Sequence, residues 1–294
     1  MTDFAGYAQA CRQARPKAGP DLEIDDEQLA EWTRLLAHRA GLFIAPARRS
    51  FLVSGFRARM RESNCPNARE YYERLLNSRS DTDEWSLLVD RLTVHETCFF
   101  RHSSSLRLVS EQLLPEALER GTGFSAWSVG CASGEEAYSL AMLVAECAAG
   151  SPNGLDWRIT GMDISKPSLQ QAREGKYLLR RLRDIPQAFQ DSYCRKVSGS
   201  HFRVTDPLRD RVQFSELDLR DLSAVETPSA DLVYCQNLLI YYERQRRIEI
   251  VDQLANCLRT GGVLVLGPGE LLDWNNPNME KVRFPDTLAY RRTN

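Results

Sequence analysis

The chain has few of the residues that hold metals. Histidine occurs four times, at His38, His95, His102 and His201, and the eight cysteines are scattered with no C-x-x-C pair among them. Zinc sites draw on such pairs at short spacing, so no metal site is expected and the thiols read as reduced and structural. Long apolar runs are also missing: the longest candidate, Tyr138 to Ala149, is interrupted by Glu146 and falls short of the roughly 20 residues of a spanning helix. Met1 to Pro20 lacks the apolar core of a secretory signal. These absences predict a cytoplasmic protein with no membrane insertion. Charge of one sign is lacking too. A net charge of −2 gives no global pull toward nucleic acid or an anionic surface.

What the sequence does contain is core. At 294 residues and 43% hydrophobic, it can bury one large domain or two smaller ones. After a loose start with Pro16, Gly19 and Pro20, helical patterns begin at Asp25, where Asp25 or Asp26 can cap, with Leu29, Trp32, Leu35 and Leu36 at helical spacing until Gly41. A second helix, "ARRSFLVSGFRARMRES", places Phe51, Leu52, Phe56 and Met60 on one face and Arg48, Arg49, Arg57, Arg59 and Arg61 elsewhere. "NAREYYERLLNS" and "DEWSLLVDRLTV" continue an all-α region. After Gly121 the pattern changes to strands alternating with helices: "FSAWSV", "DWRITGMDIS", "ADLVYCQN" and "VLVLG" are strands separated by helical stretches. That grammar predicts a parallel, doubly wound sheet. "HFRV" and "DRVQF", between Ile185 and Phe214, read as a small antiparallel hairpin inserted into it.

The stretch "WSVGCASGEEAYSLAM" (Trp127 to Met142) places a loop, Gly130 to Gly134, at the carboxyl end of the first sheet strand, where doubly wound folds bind ligands. It matches neither the dinucleotide G-x-G-x-x-G nor the phosphate-binding G-x-x-x-x-G-K-[ST] pattern. Glu135 and Glu136 would repel a pyrophosphate. Asp163, ending the second strand, can accept hydrogen bonds from ribose hydroxyls. A ligand with a ribose, a cationic centre and no phosphate fits these features, and S-adenosylmethionine is one. The bland alternative is that the glycines make a tight turn and the acids favour a helix N-terminus.

"LTVHETCFFRH", "WSVGCASGEEAYSLAM", "GMDISKPSLQQAREGKY" and "VYCQNLLIYY" together resemble the CheR family of bacterial chemotaxis-receptor methyltransferases, in order and spacing from about Asp25 onward. The resemblance implies transfer of a methyl group from S-adenosylmethionine to glutamate side chains of chemoreceptor helices, leaving S-adenosylhomocysteine. It implies an α/β chain: an all-α receptor-docking domain over 22–95, a connecting segment over 96–120, and a doubly wound methyltransferase domain over 121–294. A small antiparallel β-subdomain would be inserted at about 186–214. Carried over by position, the cofactor contacts are His95, Thr97, Arg101, one of Glu135 and Glu136, Asp163, Asp218, Leu219, and the backbone around Cys235 and Gln236. Arg101 and Tyr241 match positions tied to methyl transfer and placement of the substrate carboxylate. His95 stands where the family usually has Asn, Gln236 where it usually has Arg, and Gly267 to Glu270 replaces a usual Gly-His-Ser-Glu.

The chemistry is consistent with what is absent. A glutamate with a pKa near 4.3 is ionised at neutral pH, so no general base is needed. His38, His102 and His201 carry no motif and are assigned no role. Two other readings share the fold: a regulatory module that binds cofactor without transferring it, and a methyltransferase of nucleic acid or small molecules. The second is weakened by "NLLI" in place of a D/N-P-P-[YFW] motif. The partner expectations are docking on receptor helices through Arg57 and Arg59, no nucleic acid, a monomer, and no tether to a receptor C-terminal pentapeptide. That last expectation rests on the short turn in "CRKVSGSHFRV".

Overall fold

The computed structural model describes residues 24–43, 48–77, 83–93, 97–152, 154–219 and 229–294; His95 lies outside the described residues. The chain forms two compact units. Residues up to Ala40 and Ile44–Leu92 make the first, and Gly41–Phe43 with Thr93–Asn294 make the second.

The first unit is helical. Asp25 and Gln28 cap α1 (Asp26–Ala40) reciprocally: Gln28 N–H donates to Asp25 Oδ1 at 2.8 Å and Asp25 N–H to Gln28 Oε1 at 3.3 Å. In α2 (Arg49–Glu62), Leu52, Phe56 and Met60 recur every fourth residue and are buried. Asn67 caps α3 (Ala68–Asn77) by accepting from Glu70 N–H at 2.9 Å, and α4 (Asp83–Leu92) buries Leu88, Val89 and Leu92. Trp32 packs edge-on to Phe56 and stacks near Tyr71, with ring centroids 3.9 and 5.5 Å away. Gly55 is where α2 meets α4, since a Cβ there would lie 2.5 Å from Leu92 Cδ2.

One expectation about this unit is corrected. Arg59 does not present its charge to a partner; its residue is only 8% exposed. Its guanidinium pairs with Glu62 at 2.5 Å and Glu84 at 2.7 Å, and Tyr71 Oη donates to the same Glu84 at 2.5 Å. A buried cation is tolerated only when satisfied in this way. Arg57 is partly exposed, and Arg48 and Arg61 are exposed.

The second unit opens with α5 (Ser103–Leu108), which runs through one π-helical turn (Val109–Leu113) into α6 (Leu114–Arg120). Then follow β1 (Phe124–Val129), α7 (Glu135–Ala149), β2 (Trp157–Asp163), α8 (Lys166–Glu174) and β3 (Lys176–Leu178). A 3-10 turn (Leu179–Asp184), α9 (Gln187–Tyr193), β4 (Cys194–Ser198), β5 (His201–Val204), α10 (Asp206–Arg209) and β6 (Val212–Glu216) come next. β7 (Ala230–Cys235), a 3-10 turn (Leu239–Tyr241), α11 (Arg244–Asn256), β8 (Leu258–Leu266), β9 (Met279–Val282) and β10 (Leu288–Arg292) complete it.

The main sheet has the order β6-β2-β1-β7-β8-β10-β9. Five strands are parallel, but β10 runs antiparallel to β8 and β9 antiparallel to β10. The hairpin expected of "HFRV" and "DRVQF" is corrected: Val212 pairs in parallel with Ile159, so "DRVQF" is a main-sheet strand. β5 instead pairs with β4 and, on its other side, with β3, making a three-stranded antiparallel sheet. Phe124 and Ala126 of β1 pack on one core with α5, α6 and α7, while Trp127 and Val129 pack on the other with α11. This alternation is what a strand buried on both faces requires.

Candidate active site

β1 lies where the strand order reverses, between β2 and β7, so the crevice beyond its carboxyl end is the expected ligand site. The loop there is sharply coiled: Gly130, Ala132 and Gly134 have φ of 78°, 46° and 93°. Gly130 must be glycine for a second reason, since a Cβ would stand 2.9 Å from Leu238 Cδ2. Gly130 N–H and Cys131 N–H donate to Met162 O at 2.8 and 3.0 Å. Asp163 braces the loop from β2: its Oδ2 accepts from Ala132 N–H at 2.8 Å and its Oδ1 from Ser165 N–H at 2.9 Å.

The resulting cleft has apolar walls, from Leu42, Val129, Met162, Ile164, Leu217, Leu219, Leu238 and Tyr242, with Thr93, Asp163, Asn237 and Tyr241 among its polar lining. Asp163 and Leu219 of the expected cofactor residues are therefore brought together here, and Asp218 adjoins them. Cys235 and Gln236 sit behind the wall. Cys235 is fully buried, and Gln236 Nε2 donates to Ser105 Oγ at 2.9 Å and Leu266 O at 3.2 Å. It is Asn237 and Leu238, next along the chain, that reach the cleft.

The two neighbouring acids face different surroundings. Glu135 is buried, accepts from Ser133 Oγ at 2.7 Å, and is held above the usual carboxylate range by burial, with Arg181 opposing that rise. Glu136 accepts from Ser128 Oγ at 2.7 Å. Burial pushes its carboxyl up to about 8, against the Ser128 hydrogen bond and the positive charge of Arg101, while Glu270 adds to the rise. Of the pair, Glu136 is the one that senses Arg101.

Arg101 is exposed and follows the partly buried Thr97 by four residues. Its neighbours Phe100 and His102 both have left-handed backbones, φ 52° and 58°. Phe100 N–H donates to Ser139 Oγ of α7 at 2.9 Å, and His102 Nε2 lies 2.7 Å from Asn237 Oδ1. Tyr241 ends the short turn after β7, and that turn is stapled by Glu270, which is 4% exposed. Glu270 Oε1 accepts from Leu239 N–H at 3.0 Å and Oε2 from Gly267 N–H at 2.9 Å. Burial raises the Glu270 carboxyl, opposed by these backbone donors. Sequence reasoning missed Glu270, His102 and Asn237 as a group, because their relation depends on three loops meeting. Among the described residues no cluster suited to a metal ion exists, and no helix is long and apolar enough to cross a membrane.

A doubly wound sheet whose switch-point loop is followed by acids, with a braced aspartate on the next strand, is the arrangement of an S-adenosylmethionine-dependent methyltransferase. Residues 95–287 match the CheR methyltransferase S-adenosylmethionine-binding domain and residues 27–93 the CheR methyltransferase all-alpha domain. The chain belongs to the CheR methyltransferase family. It is 28% identical to the chemotaxis protein methyltransferase of Escherichia coli, covering 85% of this chain and 86% of that one. With the chemotaxis protein methyltransferase of Borreliella burgdorferi the identity is 25%, over 89% and 94% of the two chains. A Pseudomonas aeruginosa protein named "Probable biofilm formation methyltransferase WspC" is 30% identical, over 88% of this chain and 61% of that one. The solved magnesium protoporphyrin IX methyltransferase from Synechocystis PCC 6803, with bound S-adenosylmethionine, covers 74% of this chain and 86% of its own at 14% identity and a TM-score of 0.37. That likeness adds no weight to the family match.

The residues present suit the cofactor. Apolar walls and the close backbone at Gly130 can take a flat adenine, and the Asp163 carboxylate, a hydrogen-bond acceptor, lines the same cleft.

Proposed function

We propose that this enzyme methylates glutamate side chains on the cytoplasmic helices of chemoreceptors, giving glutamate methyl esters. When bound, S-adenosylmethionine supplies an electrophilic methyl group on a sulfonium. Asp163 holds the ribose side of the cleft, with Leu219 in its wall and Asp218 beside it; the backbone at Cys235 and Gln236 supports that wall from behind, and Thr97 and His95 are assigned to the cofactor by family position alone. Glu136, rather than Glu135, faces the cofactor's positive charge. Arg101 grips the substrate carboxylate through its two-pronged guanidinium, and the Tyr241 hydroxyl orients it. Neither moves a proton, because the attacking carboxylate is ionised already. Their contribution is alignment of the attacking oxygen, which can be worth several kcal/mol. Too firm a grip would stabilise the ground state, so the exposed, solvent-softened position of Arg101 suits the task.

The observation that supports this most strongly is the pair of family matches lying end to end over 27–93 and 95–287. Receptor docking falls to α2 through Arg57, with exposed Arg61 one turn on, since Arg59 is taken up internally. The monomer finds its receptor without a C-terminal tether. β4 is an edge strand of only five residues, and its pairing with β5 slips between Lys196 and Ser198. Such an irregularity blunts an edge against an added strand. Incubation with tritiated cofactor and receptor-bearing membranes should give label released by base as methanol. Labelling that survives base would sink the glutamate ester reading.

A further inference from the structure

We infer that His102 is a positioning residue for methyl transfer: its ring fastens the segment carrying Arg101 to the turn carrying Tyr241. This rests on the roles given to Arg101 and Tyr241 above.

Three local facts about His102 are out of place for an ordinary loop residue. It occupies the N-cap of α5, where a short polar side chain normally accepts a hydrogen bond from the first turn, yet its side chain makes no such bond. Its backbone is left-handed at φ 58°, ψ 60°, a conformation uncommon outside glycine, though histidine tolerates it better than most residues. And its ring is spent across 135 positions of sequence, at 2.7 Å from Asn237 Oδ1. Asn237 itself is left-handed, with φ 60°. With the proton on Nε2, the ring donates and the amide oxygen accepts.

The consequence is mechanical. On one side of Arg101, Phe100 N–H is anchored to Ser139 of α7; on the other, His102 is anchored to Asn237. Arg101 is the exposed residue between the two anchors. Asn237 lies two residues before the turn that ends in Tyr241, and Glu270 fixes the start of that turn through Leu239 N–H. The His102–Asn237 bond therefore joins two independently braced loops, each bearing one group assigned to the substrate carboxylate. Releasing it frees one end of the Arg101 segment and leaves the apolar cleft walls in place. Since a misplacement of about 1 Å can cost about a hundredfold in rate, the bond matters to transfer more than to cofactor binding.

The test is single-turnover methylation of receptor membranes with tritiated cofactor, alongside calorimetric binding of S-adenosylhomocysteine. His102→Ala should lower the transfer rate about ten- to a hundredfold while changing the dissociation constant less than about threefold. His102→Gln, whose amide N–H reaches about as far as Nε2, should recover most of the rate. Asn237→Gly keeps the left-handed backbone and removes the acceptor; combining it with His102→Ala should add no further loss. A normal rate for His102→Ala, a parallel loss of binding, a Gln variant as slow as the Ala one, or additive losses in the pair would each overturn the inference. Arg101→Ala is measured beside them. If that variant is near normal, the functional reading itself fails; if it is slow and His102→Ala is not, only the positioning role falls.

Discussion

Cofactor binding should release a proton, and the source should be Glu136. Its carboxyl is pushed up to about 8 by burial, so the neutral form dominates at pH 7. A positive centre arriving beside it favours the ionised form. Affinity for S-adenosylmethionine should therefore rise by roughly tenfold or more between pH 6 and pH 8 and level off above that. The sign for stability is opposite. A carboxyl whose folded pKa exceeds its ordinary value stabilises the ligand-free protein most at low pH, and that contribution fades as pH climbs from about 4.5 toward 8. Isothermal calorimetry at pH 7 in two buffers of different ionisation enthalpy should report close to one proton released per site. Glu136→Gln should abolish the release and flatten the profile, leaving only the ligand's own amino-group titration, common to both proteins. The same pH dependence in wild type and Glu136→Gln would refute the reasoning and move the cation's partner elsewhere, with Glu135 next in line.

Other substitutions separate structure from chemistry. Asp163→Ala should weaken cofactor binding by roughly 1.5–3 kcal/mol and also lower the melting temperature, since Ala132 N–H and Ser165 N–H lose their acceptor; unchanged affinity in a folded variant removes the ribose assignment. Arg57→Glu with Arg61→Glu should slow receptor methylation and leave S-adenosylhomocysteine binding alone, whereas rates insensitive to both salt and these changes would make α2 a solvated face. Arg59→Ala should act on stability, costing on the order of 1.5–3 kcal/mol as the partly buried Glu84 keeps only the Tyr71 hydroxyl, and a denaturation curve that does not shift would contradict the pairing described. Titration with receptor C-terminal pentapeptides should show no saturable binding up to high micromolar concentration; a clear micromolar isotherm would show that β4 accepts a strand after all.

The strands of the central sheet and the glycine loop were legible because their signals are local. "FSAWSV" and "ADLVYC" are short apolar runs between turn residues, and they emerge as β1 and β7. "DRVQF" misled because alternation alone cannot say which strand is the neighbour; its partner Ile159 lies 53 positions earlier. β9 and β10 passed unnoticed, since "MEKV" and "LAYRR" carry no alternation that stands out from a polar tail. Arg59 reads like its neighbours until Glu84 and Tyr71 surround it, and nothing within one turn announces them. At the site, Asp163 could be read from its place at a strand end. His102 could not, because a left-handed histidine has no sequence mark and its partner lies 135 positions later.

The short segment Gly41–Phe43 has a consequence for anyone dividing the chain. It lies between two stretches of the helical unit in sequence, yet it belongs to the methyltransferase unit. Leu42 forms part of the cleft wall, and Phe43 N–H donates to Tyr241 O at 2.7 Å, on the residue assigned to the substrate. A fragment beginning at Thr93 would hold the whole central sheet and every assigned side chain described, and still be short of one wall and one backbone tie at Tyr241. The methyltransferase half is thus not a cassette that can be lifted out by a single cut or grafted onto another docking domain. Recombination between relatives would have to carry these three residues along with a body whose other residues begin fifty positions later.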